Sequence, residues 1–200
     1  MNPWRERFQR WFTPAARRCP LSPNAISLLA LTINAGAAAL LYQRWFFIAI
    51  AMIVVGGLAD AFDGIVARVQ NKASRYGDFL DHFADRVSDT LLLAGWLLGN
   101  AVRVEIAVGA VIAVMLNGYA GTQLEATWRQ REYESLGRGE FVLALIVYPA
   151  VSALLYQNEW ENTAFASLRV AEWMALLILA FALLGVFQRF SIAAKLERSQ

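Results

Sequence analysis

Six long apolar runs separated by polar connections occupy most of the chain, at about residues 24–42, 46–68, 79–100, 104–127, 141–157 and 166–190. A helix needs about 20 apolar residues to cross the hydrocarbon core of a bilayer. The pattern therefore predicts an all-α integral membrane protein with six transmembrane helices. The second and third runs carry acidic residues at one end, so those ends must stand at the interface or line a wet cavity. Residues 1–19 follow another rhythm. Trp4, Phe8, Trp11 and Phe12 recur at helical spacing, flanked by Arg5, Arg7, Arg10, Arg17 and Arg18. This predicts an N-terminal amphipathic interfacial helix on an anionic membrane surface; a disordered basic tail is the other reading. A turn over 20–24 follows, with Ser22 or Asn24 available to cap the first span. The chain thus divides into a juxtamembrane segment, 1–23, and a six-helix domain, 24–200. The first apolar run follows the Arg-rich segment and leads to no small-residue cleavage site, so it reads as a retained span rather than a signal peptide.

Composition agrees with the pattern. Apolar residues make up 58% of the 200 positions and charged residues 17%, against about half and a quarter in a soluble domain. A net charge of +2 leaves no nucleic-acid footprint. One cysteine, Cys19, and one histidine, His82, exclude an internal disulfide and make a Cys/His zinc site improbable. Charge placement sets the orientation. With the N-terminus inside, fifteen of the eighteen Lys and Arg residues fall on the cytoplasmic side. Only Arg44, Arg103 and Arg169 fall outside. Both termini, and the acidic ends of the second and third spans, are then cytoplasmic.

Those ends carry the chemistry. All six aspartates of the chain lie between Asp60 and Asp89, where flanking sequence is strongly apolar. A charge at membrane depth costs a few kcal/mol or more and usually marks a site or a partner. On a helical wheel Asp60, Asp63, Gly64, Ala67 and Arg68 share one face of the second span. Gly77, Asp81 and Asp85 recur every four residues on the third. A short loop, 69–76, brings the two faces together. Four carboxylates converging where water is scarce cannot all stay ionised unpaired. Arg68 and Arg86 offset part of the charge, and divalent cations are the natural remedy. All-oxygen ligation suits Mg²⁺, Mn²⁺ or Ca²⁺, and two such ions about 4 Å apart can clamp a diphosphate. Gly64, Ala67 and Gly77 leave room for a ligand near the backbone, and Arg68 suits phosphate oxygens. A structural cluster of Asp–Arg pairs is the alternative for a single D-x-x-D, but it does not account for the whole spacing.

Read as D-x-x-D-G-x-x-A-R-x8-G-x-x-x-D-x-x-x-D, these positions closely resemble the signature of the CDP-alcohol phosphotransferase family, met at every position from Asp60 to Asp85. The opening of the first span, LSPNAISLLAL, also looks like the family. The resemblance implies that a CDP-linked lipid donor, usually CDP-diacylglycerol, gives its phosphatidyl group to a small alcohol acceptor and CMP leaves, in phospholipid biosynthesis. It implies that Asp60, Asp63, Asp81 and Asp85 hold two divalent cations, Mg²⁺ or Mn²⁺, with Asp85 also the catalytic base. Asp60, Gly64, Ala67, Arg68 and Gly77 would bind the CDP group. A homodimer is possible by the same analogy, and the small residues 35–39 suit close packing within or between chains.

The acceptor half departs from the pattern. Relatives with phosphorylated acceptors often read S-Y-x-[RK]-A-[RK]-x-E at the inner end of the fourth span. Here Tyr119 and Glu125 match, but Gly121 and Gln123 replace the basic positions. An acceptor phosphate loses its expected partners there, which weighs against inositol phosphate and glycerol phosphate. Arg129, Arg131 and Arg138 are the candidate substitutes; positive-inside anchoring explains them equally well. His82 is turned about 100° from Asp81 on the wheel and reads as a packing or supporting residue. Asp89 reads as a partner for Arg86. A carboxylate-lined ion or metal transporter is the alternative function, but it leaves the Gly64, Ala67, Arg68 and Gly77 spacing unexplained.

Overall fold

The computed structural model describes residues 3–128 and 138–198, and side chains from 11 to 128 and from 140 to 198. The chain forms α1 (Pro3–Arg18), α2 (Pro23–Tyr42), α3 (Phe46–Val69), α4 (Arg75–Gly99), α5 (Val104–Trp128) and α6 (Arg138–Gln157). A two-stranded antiparallel hairpin follows, β1 (Ala164–Phe165) with β2 (Leu168–Arg169), and then α7 (Val170–Arg198). The boundaries fall where local chemistry sets them. Ser22 caps α2 by accepting from the Ala25 amide at 3.2 Å, with Pro23 at the start of the helix. Ser74 caps α4 by accepting from the Gly77 amide at 3.0 Å. That cap starts α4 at Arg75, a turn earlier than the apolar run, and so takes Asp78 into the helix.

Five of these helices (α2, α3, α5, α6 and α7) are long and apolar enough to cross a membrane. Leucines, valines, isoleucines and phenylalanines cover their outward faces, among them Leu28, Leu29, Val54, Val55, Ile112 and Phe181. The protein is an integral membrane protein. Its interior is built by small residues as much as large ones. On α4, a Cβ at Gly95 or Gly99 would collide with the carbonyl oxygens of Ala38 and Leu41 on α2. The pair forms a small-xxx-small contact between backbones. Trp96, Leu93, Leu97 and Leu41 fill the space around it and are almost wholly buried. Trp96 Nε1 donates to Ser152 Oγ at 3.0 Å, which ties α4 to α6.

The three arginines at the predicted outer end each bond to the protein. Arg44 Nε donates to the Gly99 carbonyl at 2.7 Å, and its guanidinium lies 4.9 Å from the Tyr156 ring centroid. Arg103 Nε donates to the buried Glu172 carboxylate at 2.9 Å. Arg169 donates to the Ala101 carbonyl. At the other end, Gln70 at the close of α3 donates to the carbonyls of Ala16 (2.8 Å) and Cys19 (2.9 Å). With Phe12 edge-on to Phe62 at 6.1 Å, this docks the last turns of α1 onto α3.

The close approach of α2 and α4 makes a testable demand. Gly95→Leu drives a side chain into the Ala38 backbone and is expected to lower the unfolding midpoint in detergent by several degrees, as overpacking by roughly 1–3 kcal/mol or more would. Gly57 has open space around its Cβ position, so Gly57→Ala is expected to leave the midpoint unchanged or raise it slightly.

Candidate active site

Helices α3 and α4, joined by the loop at 70–74, each pack along α2 rather than along one another, and this shared support brings their two acidic faces together. One carboxylate oxygen from each of Asp60, Asp63 and Asp81 lies within 4.8 Å of the others. A second group, Asp81, His82 and Asp85, meets the same limit. Asp81 therefore belongs to both. Asp63 and Asp85 are each only 6% exposed. The donors are nearly all hard oxygens, converging on small volumes, which suits divalent cations such as Mg²⁺ or Mn²⁺.

The bundle supports these carboxylates from behind. Ser27, one turn into α2, donates its hydroxyl to Asp63 Oδ2 at 2.6 Å. Sequence reasoning missed this residue: a serine near the start of an apolar run carries no mark of what it will face. Gly77 sits against the neighbouring polar side chains, where a Cβ would come within 3.2 Å of Asn24 Oδ1. Gly64 leaves space for the Arg68 guanidinium, with Nη1 3.4 Å from where a Cβ would stand. Arg68 is exposed, and Asp60, Gly64 and Ala67 are partly exposed beside it.

Beyond Asp85 opens a cavity of about 510 Å³ between α4, α5, α6 and α7. Its polar end is lined by His82, Asp85, Arg86, Asp89, Gly118, Gly121, Thr122, Glu125 and Arg189. The two glycines of α5 admit arginines from other helices. A Cβ at Gly118 would overlap the Arg86 guanidinium, and one at Gly121 would come within 2.8 Å of Arg189 Nε. Arg86 Nη2 pairs with Asp89 Oδ2 at 3.1 Å, as the spacing of the two residues suggests. Arg189 Nη1 is buried with no hydrogen-bond partner among the described residues.

Sequence reasoning placed substitute cations at Arg129, Arg131 and Arg138. The first two lie outside the described residues; Arg138 opens α6, with its side chain outside them too. The missed residue is Arg189, which the sequence shows only as a cytoplasmic charge near the end of the last span. Tyr119 points away from the cavity and is 62% exposed, whereas Glu125 lines it. His82 lies nearer the acidic centre than the wheel position relative to Asp81 suggests. It is three residues from Asp85, a neighbouring position on a helix, and its ring reaches across.

An intramembrane acidic centre shared by two helices, opening onto an arginine-bearing cavity, is the mark of this molecule. The chain belongs to the CDP-alcohol phosphatidyltransferase family, whose sequence profile matches residues 20–184. It is 31% identical over 105 residues to the archaetidylinositol phosphate synthase of Pyrococcus horikoshii, covering 52% of this chain and 56% of that protein. It is 25% identical over 167 residues to the phosphatidylinositol phosphate synthase of Mycobacterium marinum, covering 74% and 68%. The chain thus spans little more than half the length of the Pyrococcus relative. The fold matches that of the phosphatidylinositol phosphate synthase of Mycobacterium tuberculosis solved with CDP-DAG bound. The TM-score is 0.72, with 22% identity, over 91% of this chain and 92% of that one. The same enzyme solved with manganese and citrate aligns with a TM-score of 0.70, at 22% identity over 90% and 87%.

The Ser27–Asp63 contact is open to a direct check. Hydrogen bonds to charged groups contribute about 1.5–3 kcal/mol. Ser27→Ala in metal-free protein is expected to lose stability on that scale in thermal unfolding, and Ser27→Thr to recover most of it.

Proposed function

We propose that this protein transfers a phosphatidyl group from a CDP-linked lipid, such as CDP-diacylglycerol, to the hydroxyl of a small phosphorylated polyol, releasing CMP. The observation that carries the reading is the sharing of Asp81 between two ligand groups, with Asp85 at the mouth of an arginine-bearing cavity. Asp60, Asp63, Asp81 and Asp85 would hold two divalent cations, Mg²⁺ or Mn²⁺. Bound there, the cations would neutralise the diphosphate of the donor as charge builds on the leaving CMP.

The remaining work falls to the chain. Arg68 binds donor phosphate oxygens through its planar fork. Gly64, Ala67 and Gly77 let the cytidine lie close to the helix backbones. Asp85 accepts the proton of the acceptor hydroxyl. The acceptor oxygen bonds to the lipid-linked phosphorus, the bond from that phosphorus to the CMP oxygen breaks, and CMP departs with that oxygen.

The acceptor is argued from Arg86 and Arg189. The basic side chains absent at 121 and 123 have counterparts from α4 and α7, admitted by Gly118 and Gly121. A buried guanidinium nitrogen without a hydrogen-bond partner among the described residues suits an acceptor phosphate. Relatives named as inositol phosphate lipid synthases make an inositol phosphate the leading candidate. We place α4 as the sixth span, with α1 on the membrane surface and the acidic centre and both termini facing the cytoplasm. Fifteen of eighteen Lys and Arg residues support that orientation.

Two variants test the roles. Asp85→Asn is expected to cut CMP release by at least about a hundredfold, the usual scale for a general base, without loss of folding. Retained activity rules out Asp85 as the base. Arg189→Gln is expected to raise the acceptor KM by about tenfold or more, as losing a hydrogen bond to a charged group does, with the donor KM unchanged. An unchanged acceptor KM rules out Arg189 as the phosphate contact.

A further inference from the structure

The single histidine of the chain stands inside the acidic site. A His82 ring nitrogen and one carboxylate oxygen from each of Asp81 and Asp85 all lie within 4.8 Å of one another. His82 Nε2 also approaches Asp78 Oδ1, one turn back, at 3.9 Å. That is too long for a hydrogen bond, so the aspartate alone does not account for the ring's position. The side chain is 37% exposed and lines the cavity beside Asp85.

The two ligand groups sharing Asp81 differ in kind. Asp60, Asp63 and Asp81 offer only oxygens, whereas Asp81, His82 and Asp85 offer two carboxylates and an imidazole. We propose that His82 supplies a nitrogen ligand to the second of the two cations, which makes the two metal positions chemically unequal. This rests on the reading that the carboxylates hold divalent cations. Carboxylate oxygens suit Mg²⁺ and Mn²⁺ alike, while an imidazole favours transition metals over Mg²⁺. The all-oxygen position accepts either ion; the position bearing His82 prefers Mn²⁺.

A chain with one histidine gives this a clean test, because imidazole coupling then has one source. Tag-free protein loaded with Mn²⁺ is examined by pulsed electron paramagnetic resonance. The expected spectrum shows coupling to a bound ring nitrogen, and His82→Ala abolishes it. In that variant the second Mn²⁺ binds at least about tenfold more weakly, while Mg²⁺ affinity changes by less than about twofold. His82→Gln, which keeps a helix-forming side chain without a ring, gives the same result and covers any folding failure of the alanine variant. Absence of nitrogen coupling in the unaltered protein, or its persistence in His82→Ala, overturns the proposal. Two Mn²⁺ ions per chain without nitrogen coupling refute His82 and leave the carboxylate site intact. No Mn²⁺ binding at all refutes both.

Discussion

Carboxylates inside a membrane bundle are costly unless their charge is answered, and much of this structure serves that constraint. Asp63 is buried against Ser27, which reaches it from a neighbouring helix. Asp89 is buried against Arg86. Asp60, Asp63, Asp81 and Asp85 gather closely enough that cations, rather than protein side chains alone, are the natural counter-charge. Packing of both α3 and α4 against α2 holds the carboxylates at this distance, and the Ser74 cap fixes where α4 begins.

The rest of the bundle gives that site its shape. Gly95 and Gly99 bring α4 against α2, and so hold α4 in place from its far end. Gly118 and Gly121 do the reverse on α5, opening room for Arg86 and Arg189. The same residue type thus makes backbone contact in one place and a basic cavity wall in another. Arg44, Arg103 and Arg169, at the end of the bundle opposite the acidic centre, are each held by a carbonyl or a carboxylate of the protein. They serve the packing.

The acidic centre was legible because its aspartates are local in sequence. Asp60 to Asp85 sit on two consecutive helices, so helical periodicity groups them on one face of each helix, while α2, which packs against both, holds those faces together. Most helix boundaries were legible too; the exceptions are α4, which starts a turn early, and the last helix, expected over 166–190, which starts at Val170 after an unforeseen hairpin and runs on to Arg198. What could not be read was whatever depended on distant segments. Ser27 reaches Asp63 across 36 residues of sequence, and Arg189 meets Gly121 from the last helix. The missing basic residues at 121 and 123 were visible, but the approach of Arg86 and Arg189 to Gly118 and Gly121 was not. His82, read from the sequence as a packing or supporting residue, has its ring within reach of Asp81 and Asp85, because a wheel position relative to one residue ignores side-chain length and the neighbour three residues on.

The most direct measurement is CMP release by purified protein given CDP-diacylglycerol and, in turn, inositol phosphate, inositol, glycerol phosphate and serine. Each is assayed with Mn²⁺, with Mg²⁺ and with a chelator. The account predicts release that requires a divalent cation and is fastest with a phosphorylated polyol. No CMP release with any acceptor in the presence of either metal would contradict it.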